Sequence, residues 1–550
     1  MIKNIFKRMI FKYYNITFIS LIKIVRPNLK IMPHKFIDEF YEIFENINKN
    51  KIFMKKIFLP YENIEILNRI NIFRPYEILE IKEIGVNSLY SLKTDKTKDM
   101  ILPIAILDIK GIKKDNAHIL LSYNNKEVKL ELKYKNRFHY LPIKNSKIIE
   151  KIEIKSDTNQ IVIGKPFYQD KPLLDEKPKL IVQIFIDAVT QSIIDKFGYD
   201  IMPNTRKFFS NGGTFYTNAY AQSEWTLSSL AGIFTGKYTN EHLMYHPRRE
   251  DKIQDTTLAD VLSNEGYLTF ACTNVPKLMP INGYDKGFDR FILAADKDCN
   301  YIINEAIEQL DTFKGNQYLF VGCFDVHESY HLLPISAQVN TDIDDFVFRK
   351  IKGNSKDTTP LYDNERIHMY KAAITYIDKK LQSLYQRIEE YDENAIVILH
   401  SDHGVNFMTK TEELLGKERE KVVFFYKNNK EHKIDDKIKE IRELPSMICN
   451  DLNIINNFDY KYNGYVITES LYPNKDYEIA VRDEKNVLFF KVVWQDILNK
   501  TIDNYKFHTS YHLLDDETII LKKDENYKKL VSIAQRHYLK MIKTIQNRGL

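Results

Sequence analysis

Three apolar runs, each ending in carboxylate or imidazole side chains, constrain this chain more than any other feature. LIVQIFID starts at Leu180 and ends at Asp187. YLFVGCFDVH starts at Tyr318 and ends at Asp325 and His327. AIVILHSDHG starts at Ala395 and ends at His400, Asp402, His403 and Gly404. Short, nearly continuous apolar runs predict strands buried on both faces, as in a parallel sheet covered by helices. In such a sheet the ligand crevice lies at the carboxyl ends of the strands. One Asp after a strand reads equally as a turn residue or a helix cap. Three strands delivering such groups to one edge predict a cluster, because burying several charges is costly unless they hold a cation.

A chain of 550 residues divides naturally into two to four domains. Residues 1–60 predict a basic, helical N-terminal segment; the first 37 carry eight Lys and Arg and no acid. That segment reads either as a helix packed on the body or as an interfacial helix touching an anionic membrane. Residues 61–170 predict a β-rich, sandwich-like domain. Val128, Leu130 and Leu132 alternate with charged residues after the turn signal Asn124-Asn125, and KIEIK and QIVIGKPFY add further strands. The Pro-rich stretch 169–179 links it to an α/β domain over 177–460. Residues 461–550 predict a small α+β subdomain with strands at 477–483 and 486–494 and a closing helix near 525–546.

The net charge of +5 excludes a dedicated nucleic-acid binder, and 13% aromatics exclude disorder as the main state. Cys272, Cys299, Cys323 and Cys449 have no CxxC spacing, so neither a disulfide framework nor a structural zinc site is expected. The expected location is cytoplasmic, with peripheral contact to the inner face of the membrane if the basic segment is interfacial.

A fourth element is SEWTLSSLAGIFTGKY, residues 223–238, in which Thr226 opens an apolar helical stretch. Its hydroxyl reads either as an N-cap or as a group presented, with the first backbone N–H groups, to a phosphate.

In this order the motifs resemble the sulfatase-like branch of the alkaline phosphatase superfamily, over roughly 180–480. MPNTRKFFSNGGTFYTNAYAQ, TLADVLSNEGYLTF followed by GYDKGFDRF, AAITYIDKKLQSLYQRI with its Tyr-x-Asp, and SDHG each match a passage of the family. Thr226 lies nine residues before Thr235-Gly236, where the family places its nucleophile. The resemblance implies an alkaline-phosphatase-like, mainly parallel sheet flanked by helices. It implies one divalent cation at Asp187, Thr226, Asp402 and His403, with manganese or zinc favoured by the mixed ligands and calcium or magnesium as alternatives. It places His327 toward the substrate, although the family's His-x-Pro reads HES here. Asn274 falls where many sulfatases carry a lysine, and Lys277 stands as its replacement or as a surface lysine. His242, His246, Arg248 and Arg249 follow the helix closely and read as an anion grip or as a solvated loop.

True sulfatases begin the motif with Cys or Ser in a (Cys/Ser)-x-Pro-x-Arg run that becomes formylglycine. Here it reads Thr226-Leu-Ser-Ser-Leu230, and a threonine does not give that aldehyde. An unmodified threonine is similar to the phosphodiesterase, phosphoglycerol-transferase and phosphoethanolamine-transferase types. The resemblance therefore implies a phosphate ester substrate, small or carried on a glycan or lipid. Two alternatives stay open: a sulfuric ester hydrolase with an unusual nucleophile, and a non-catalytic binding protein on the same fold.

Overall fold

In a computed structural model of the chain, the described residues are strand segments within 76–168 and, apart from isolated positions, 178–245, 252–327, 362–409, 413–455, 462–471, 476–492 and 505–547. All lie in the unit Lys51–Leu550. The basic N-terminal segment, His246, Arg248 and Arg249 lie outside them.

The central sheet is built from β1 (Tyr76–Leu79), β2 (Leu180–Ile186), β3 (Gly213–Tyr220), β4 (Leu268–Thr273), β5 (Arg290–Leu293), β6 (Gln317–Cys323), β7 (Ile396–His400) and β8 (Lys421–Lys427). Its order is β1-β5-β4-β6-β2-β7-β8-β3, continued by short strands at Lys433–Asp435 and Lys439–Glu440. Strands β5, β4, β6, β2 and β7 are parallel. Strand β1 joins one side antiparallel, and β8 and β3 extend the other.

The three runs that define the sequence are thus the adjacent strands β6, β2 and β7. Ile186 pairs with Cys323, and Phe185 with His400, so all three end level. Every residue of these strands is buried, which is why they read as unbroken apolar runs rather than alternating ones.

Helices cover the sheet: α1 (Gln191–Phe197), α2 (Pro203–Phe209), α3 (Thr226–Thr235), α4 (Thr239–His242), α5 (Leu258–Asn264), α6 (Cys299–Thr312) and α7 (Asn364–Tyr391). Helix α2 starts at MPNT with no cap from its own side chains. The cap comes from the Tyr-x-Asp motif of α7: buried Asp378 accepts from the backbone N–H of Asn204 at 3.0 Å and of Thr205 at 2.8 Å. A carboxylate at a helix N-terminus satisfies donors that the helix cannot.

Within 81–168 the described strands form two antiparallel sheets. One hairpin pairs Ala117–Tyr123 with Lys126–Leu132 across Asn124-Asn125. Strand β1 belongs to neither sheet; it lies along β5, where Glu77 pairs with Arg290.

The C-terminal part is a four-stranded antiparallel sheet of β9 (Val466–Leu471), β10 (Tyr477–Arg482), β11 (Asn486–Val492) and β12 (Phe507–Leu513), with helix α8 (Glu525–Asn547). Leu530, Ile533, Tyr538 and Met541 of α8 pack with Ile479, Val481, Leu488 and Phe490 of the sheet. Leu243 and Tyr245, just after α4, enter the same cluster. Among the described residues no helix is long and apolar enough to cross a membrane.

Candidate active site

The turn after β2 brings the first acid into place. Asp187 N–H donates to Cys323 O at 2.9 Å, continuing the ladder to β6. Ala188 then takes a left-handed backbone, φ 60°, a conformation that costs a residue with a Cβ of order 1–3 kcal/mol. It is fixed from two sides: Ala188 N–H donates to Asp402 Oδ1 at 3.2 Å, and Tyr370 Oη of α7 donates to Ala188 O at 2.7 Å.

The loop after β7 supplies Asp402 and His403. Gly404 lets it pass close to the chain before β8, because an added Cβ would lie 2.2 Å from Glu418 O. His400, the first polar residue of that run, turns into the core instead. Its ring stacks on Phe185 at 5.5 Å, and Nε2 meets Gln183 Nε2 at 2.8 Å.

Thr226 is the first residue of α3. Trp225 is the N-cap and makes no side-chain cap bond, so the Thr226 hydroxyl is not used as a cap. It donates to Asp187 Oδ2 at 3.3 Å and lies 3.2 Å from His403 Nε2. All ten residues of α3 are buried. Ser229 Oγ ties the helix to Asp402 O at 2.7 Å.

Asp187, Asp402 and His403 each offer a ligand atom, and those atoms lie within 4.8 Å of one another. Among the described residues this is the one such group. Asp187 Oδ1 and Asp402 Oδ2 are buried and have no hydrogen-bond partner. His403 Nδ1 bonds Gly404 O at 2.9 Å, so Nδ1 carries the proton and Nε2 presents its lone pair.

The electrostatics agree. Burial, and then Asp402, push the Asp187 carboxyl well above its ordinary range. Burial pushes Asp402 up to about 6. Burial, and then the Arg419 guanidinium, push His403 down to about 3. Two buried acids with unpartnered oxygens and a neutral imidazole form a donor set of the kind that holds a cation. The fit is to a divalent ion with mixed oxygen and nitrogen ligands.

His327 stands close by, its ring stacked on Phe324 at 4.7 Å and edge-on to His403 at 6.3 Å. Burial, His403 and Lys277 hold it neutral, well below the usual histidine range.

Of the two residues weighed for the family's lysine position, Asn274 is occupied elsewhere. Its amide donates to Asp325 Oδ2 at 2.8 Å and Lys297 O at 2.9 Å, and its oxygen accepts from Phe324 N–H at 2.7 Å. It braces the ends of β4 and β6. Lys277 is, with Arg419, a cation that acts on the cluster: it acts on Asp187, His403 and His327, and its ammonium lies 4.6 Å from the centre of the Trp225 ring.

His242 is buried, and Nδ1 accepts from Met244 N–H at 2.9 Å. The charges that act on it are Glu469, Asp255, Glu241 and Lys237, not the cluster. Asp325, at the end of the β6 run, accepts from Cys299 N–H at 2.9 Å.

Two residues near the site carry no motif signal. Arg419 donates through Nη2 to Glu224 Oε2 at 3.1 Å and Glu224 O at 3.0 Å. Inside KERE it reads as part of a solvated charge run; its acidic partner two residues before Thr226 is the signal that was there to find.

The Sulfatase family profile matches residues 179–439. Solved structures similar to this chain include one of a protein in complex with its substrate D-glucosamine-2-N,6-O-disulfate, at 12% identity and TM-score 0.49, covering 67% of this chain and 98% of that one. A 2-O GAG sulfatase matches at 15% identity and TM-score 0.49, covering 68% and 94%. A protein in the alkaline phosphatase superfamily from Vibrio parahaemolyticus matches at 15% identity and TM-score 0.47, covering 68% and 88%. No curated protein matches the chain.

Proposed function

We propose, from the match of residues 179–439 to the Sulfatase family profile, that this domain is of the sulfatase-like branch of the alkaline phosphatase superfamily and cleaves or transfers a phosphate ester through Thr226. One observation carries the reading. The residue at the nucleophile position bears an unmodified hydroxyl, 3.3 Å from Asp187 Oδ2 and 3.2 Å from His403 Nε2.

Asp187, Asp402, His403 and the Thr226 oxygen would hold a divalent ion, manganese or zinc by donor type. When bound, that ion supplies Lewis acidity for the hydroxyl and for a phosphoryl oxygen. The chain's own residues do the rest. The start of α3 offers backbone N–H groups and a favourable dipole to the phosphoryl oxygens. Lys277 adds positive charge on the side of Trp225. The Thr226 oxygen attacks phosphorus, its proton passing to Asp187 Oδ2, and the bond to the leaving oxygen breaks. His327, neutral in the free protein, gives that oxygen an N–H hydrogen bond; an entering anion would raise its basicity and let it deliver a proton. Water, or an acceptor hydroxyl on a glycan or lipid, then releases the phosphorylated threonine.

The family match itself favours a second reading, sulfate ester hydrolysis. Paired assays on an aryl phosphodiester and an aryl sulfate, with manganese added, separate the two. Turnover of the phosphodiester alone supports the proposal. Turnover of the sulfate alone supports the second reading, and turnover of neither leaves a binding protein.

A further inference from the structure

A hydroxyl that must meet three ligand side chains works only if the turn before its helix is held at fixed height. That turn, 221–226, is held from two sides. From β9, Thr468 Oγ1 donates to Ala221 O at 2.6 Å, Glu469 N–H donates to Gln222 O at 3.0 Å, and Ser470 Oγ donates to Glu224 Oε1 at 2.7 Å. From the chain before β8, the Arg419 fork takes the Glu224 carbonyl and its second carboxylate oxygen. The other arm of the fork, Nη1, donates to Asn406 Oδ1, three residues after His403. Glu224 is buried, and the Arg419 side chain is 18% exposed.

One guanidinium therefore spans the turn that carries Thr226 and the loop that carries His403. A planar, charged fork fixes distance and angle together, which a lysine ammonium cannot do. We propose that Arg419 is a positioning residue for the reaction at Thr226, acting through Glu224, with Ser470 of β9 as the second hold on the same carboxylate. The proposal rests on the reading of Thr226 as nucleophile and cation ligand. A displacement of about 1 Å at a reacting atom costs on the order of 100-fold in rate, so the lever is long even though Arg419 touches no substrate.

The test uses full-length protein, aryl phosphodiester kinetics and calorimetric titration with Mn²⁺. Arg419→Lys keeps the charge and loses the fork. Its expected result is a kcat about 100-fold lower with KM within roughly threefold. Ser470→Ala is expected to lower kcat about 10-fold with KM likewise unchanged. The Mn²⁺ titrations are read as a cycle. Thr226→Ala should weaken Mn²⁺ binding in the natural background and change it little when Arg419→Lys is already present.

A rise in KM at unchanged kcat would overturn the proposal and place Arg419 against the substrate. So would an unchanged kcat in both variants. If the natural protein turns over no phosphate ester, the functional reading fails by itself, and the Mn²⁺ cycle still decides. Equal effects of Thr226→Ala in both backgrounds then contradict positioning. If Arg419→Lys does not fold, Ser470→Ala carries both readouts.

Discussion

At the scale of single residues, the site is a set of groups that are expensive to bury, and two of its carboxylate oxygens have no hydrogen-bond partner. Asp187 Oδ1 and Asp402 Oδ2 point into one small space with no donor to meet them. Asp402→Asn and His403→Ala should therefore lower bound manganese and turnover together, as read by metal analysis after gel filtration beside the rate assay. Full metal content with lost turnover would mean that these residues only support the ligands. Another buried acid, outside the ligand set, offers a further test. Glu420 has both oxygens buried and unpartnered, and burial pushes its carboxyl from the ordinary 4.5 up to about 8. The folded state thus binds this proton more tightly than the unfolded chain. The stability it contributes is whole below about 4.5 and is lost as pH rises through about 8. Over that window one group should cost roughly 1.4 kcal/mol per pH unit. Glu420→Gln removes this slope, so thermal melts of variant and natural protein should diverge between pH 5 and 8 and run parallel above. Equal slopes throughout would contradict the assignment.

At the scale of elements, the strands that build the site were legible because burial on both faces forces them to be apolar. β2, β6 and β7 stand out in the sequence for the same reason that they sit side by side. The paired strands β10 and β11 and the closing helix α8 were legible too. Strand β9 was not. Its sequence VITESL carries Thr, Glu and Ser, yet all six residues are buried. Their polar groups are spent on the turn before Thr226 and on His537 of α8, which meets Glu469 Oε2 at 3.0 Å. Hydrophobic patterning misses a strand whose partners are hydrogen bonds. Lys277 and Asn274 show the same limit: the sequence left Lys277 either as the replacement for the family's lysine or as a surface lysine, and only the structure shows Asn274 bracing the ends of β4 and β6. The borrowed cap on α2 is a prediction at this scale. Asp378→Ala leaves one buried and one half-buried N–H group without a partner and should cost about 2 kcal/mol in denaturant melts. Turnover per folded molecule should persist, since α2 contributes nothing to the cluster. A loss of turnover at unchanged stability would show that α2 or α7 reaches the site.

At the scale of the whole molecule, the sulfatase-family segment and the C-terminal sheet depend on one another. Leu243 and Tyr245 are buried in the core of the C-terminal sheet, and β9 holds the turn before Thr226. Removing residues 466–550 should therefore abolish turnover, and sedimentation or light scattering should show aggregation from the uncovered apolar face. A soluble, monomeric and fully active truncation would contradict this dependence. The central claim is that Thr226 forms a covalent bond to phosphorus. Acid quenching of the manganese-loaded protein during turnover of an aryl phosphodiester, followed by peptide mass analysis, tests it most directly. The expected result is a phosphoryl ester on Thr226 that is absent from Thr226→Ala, together with loss of turnover in that variant. An unmodified Thr226 peptide together with retained turnover in Thr226→Ala would contradict it.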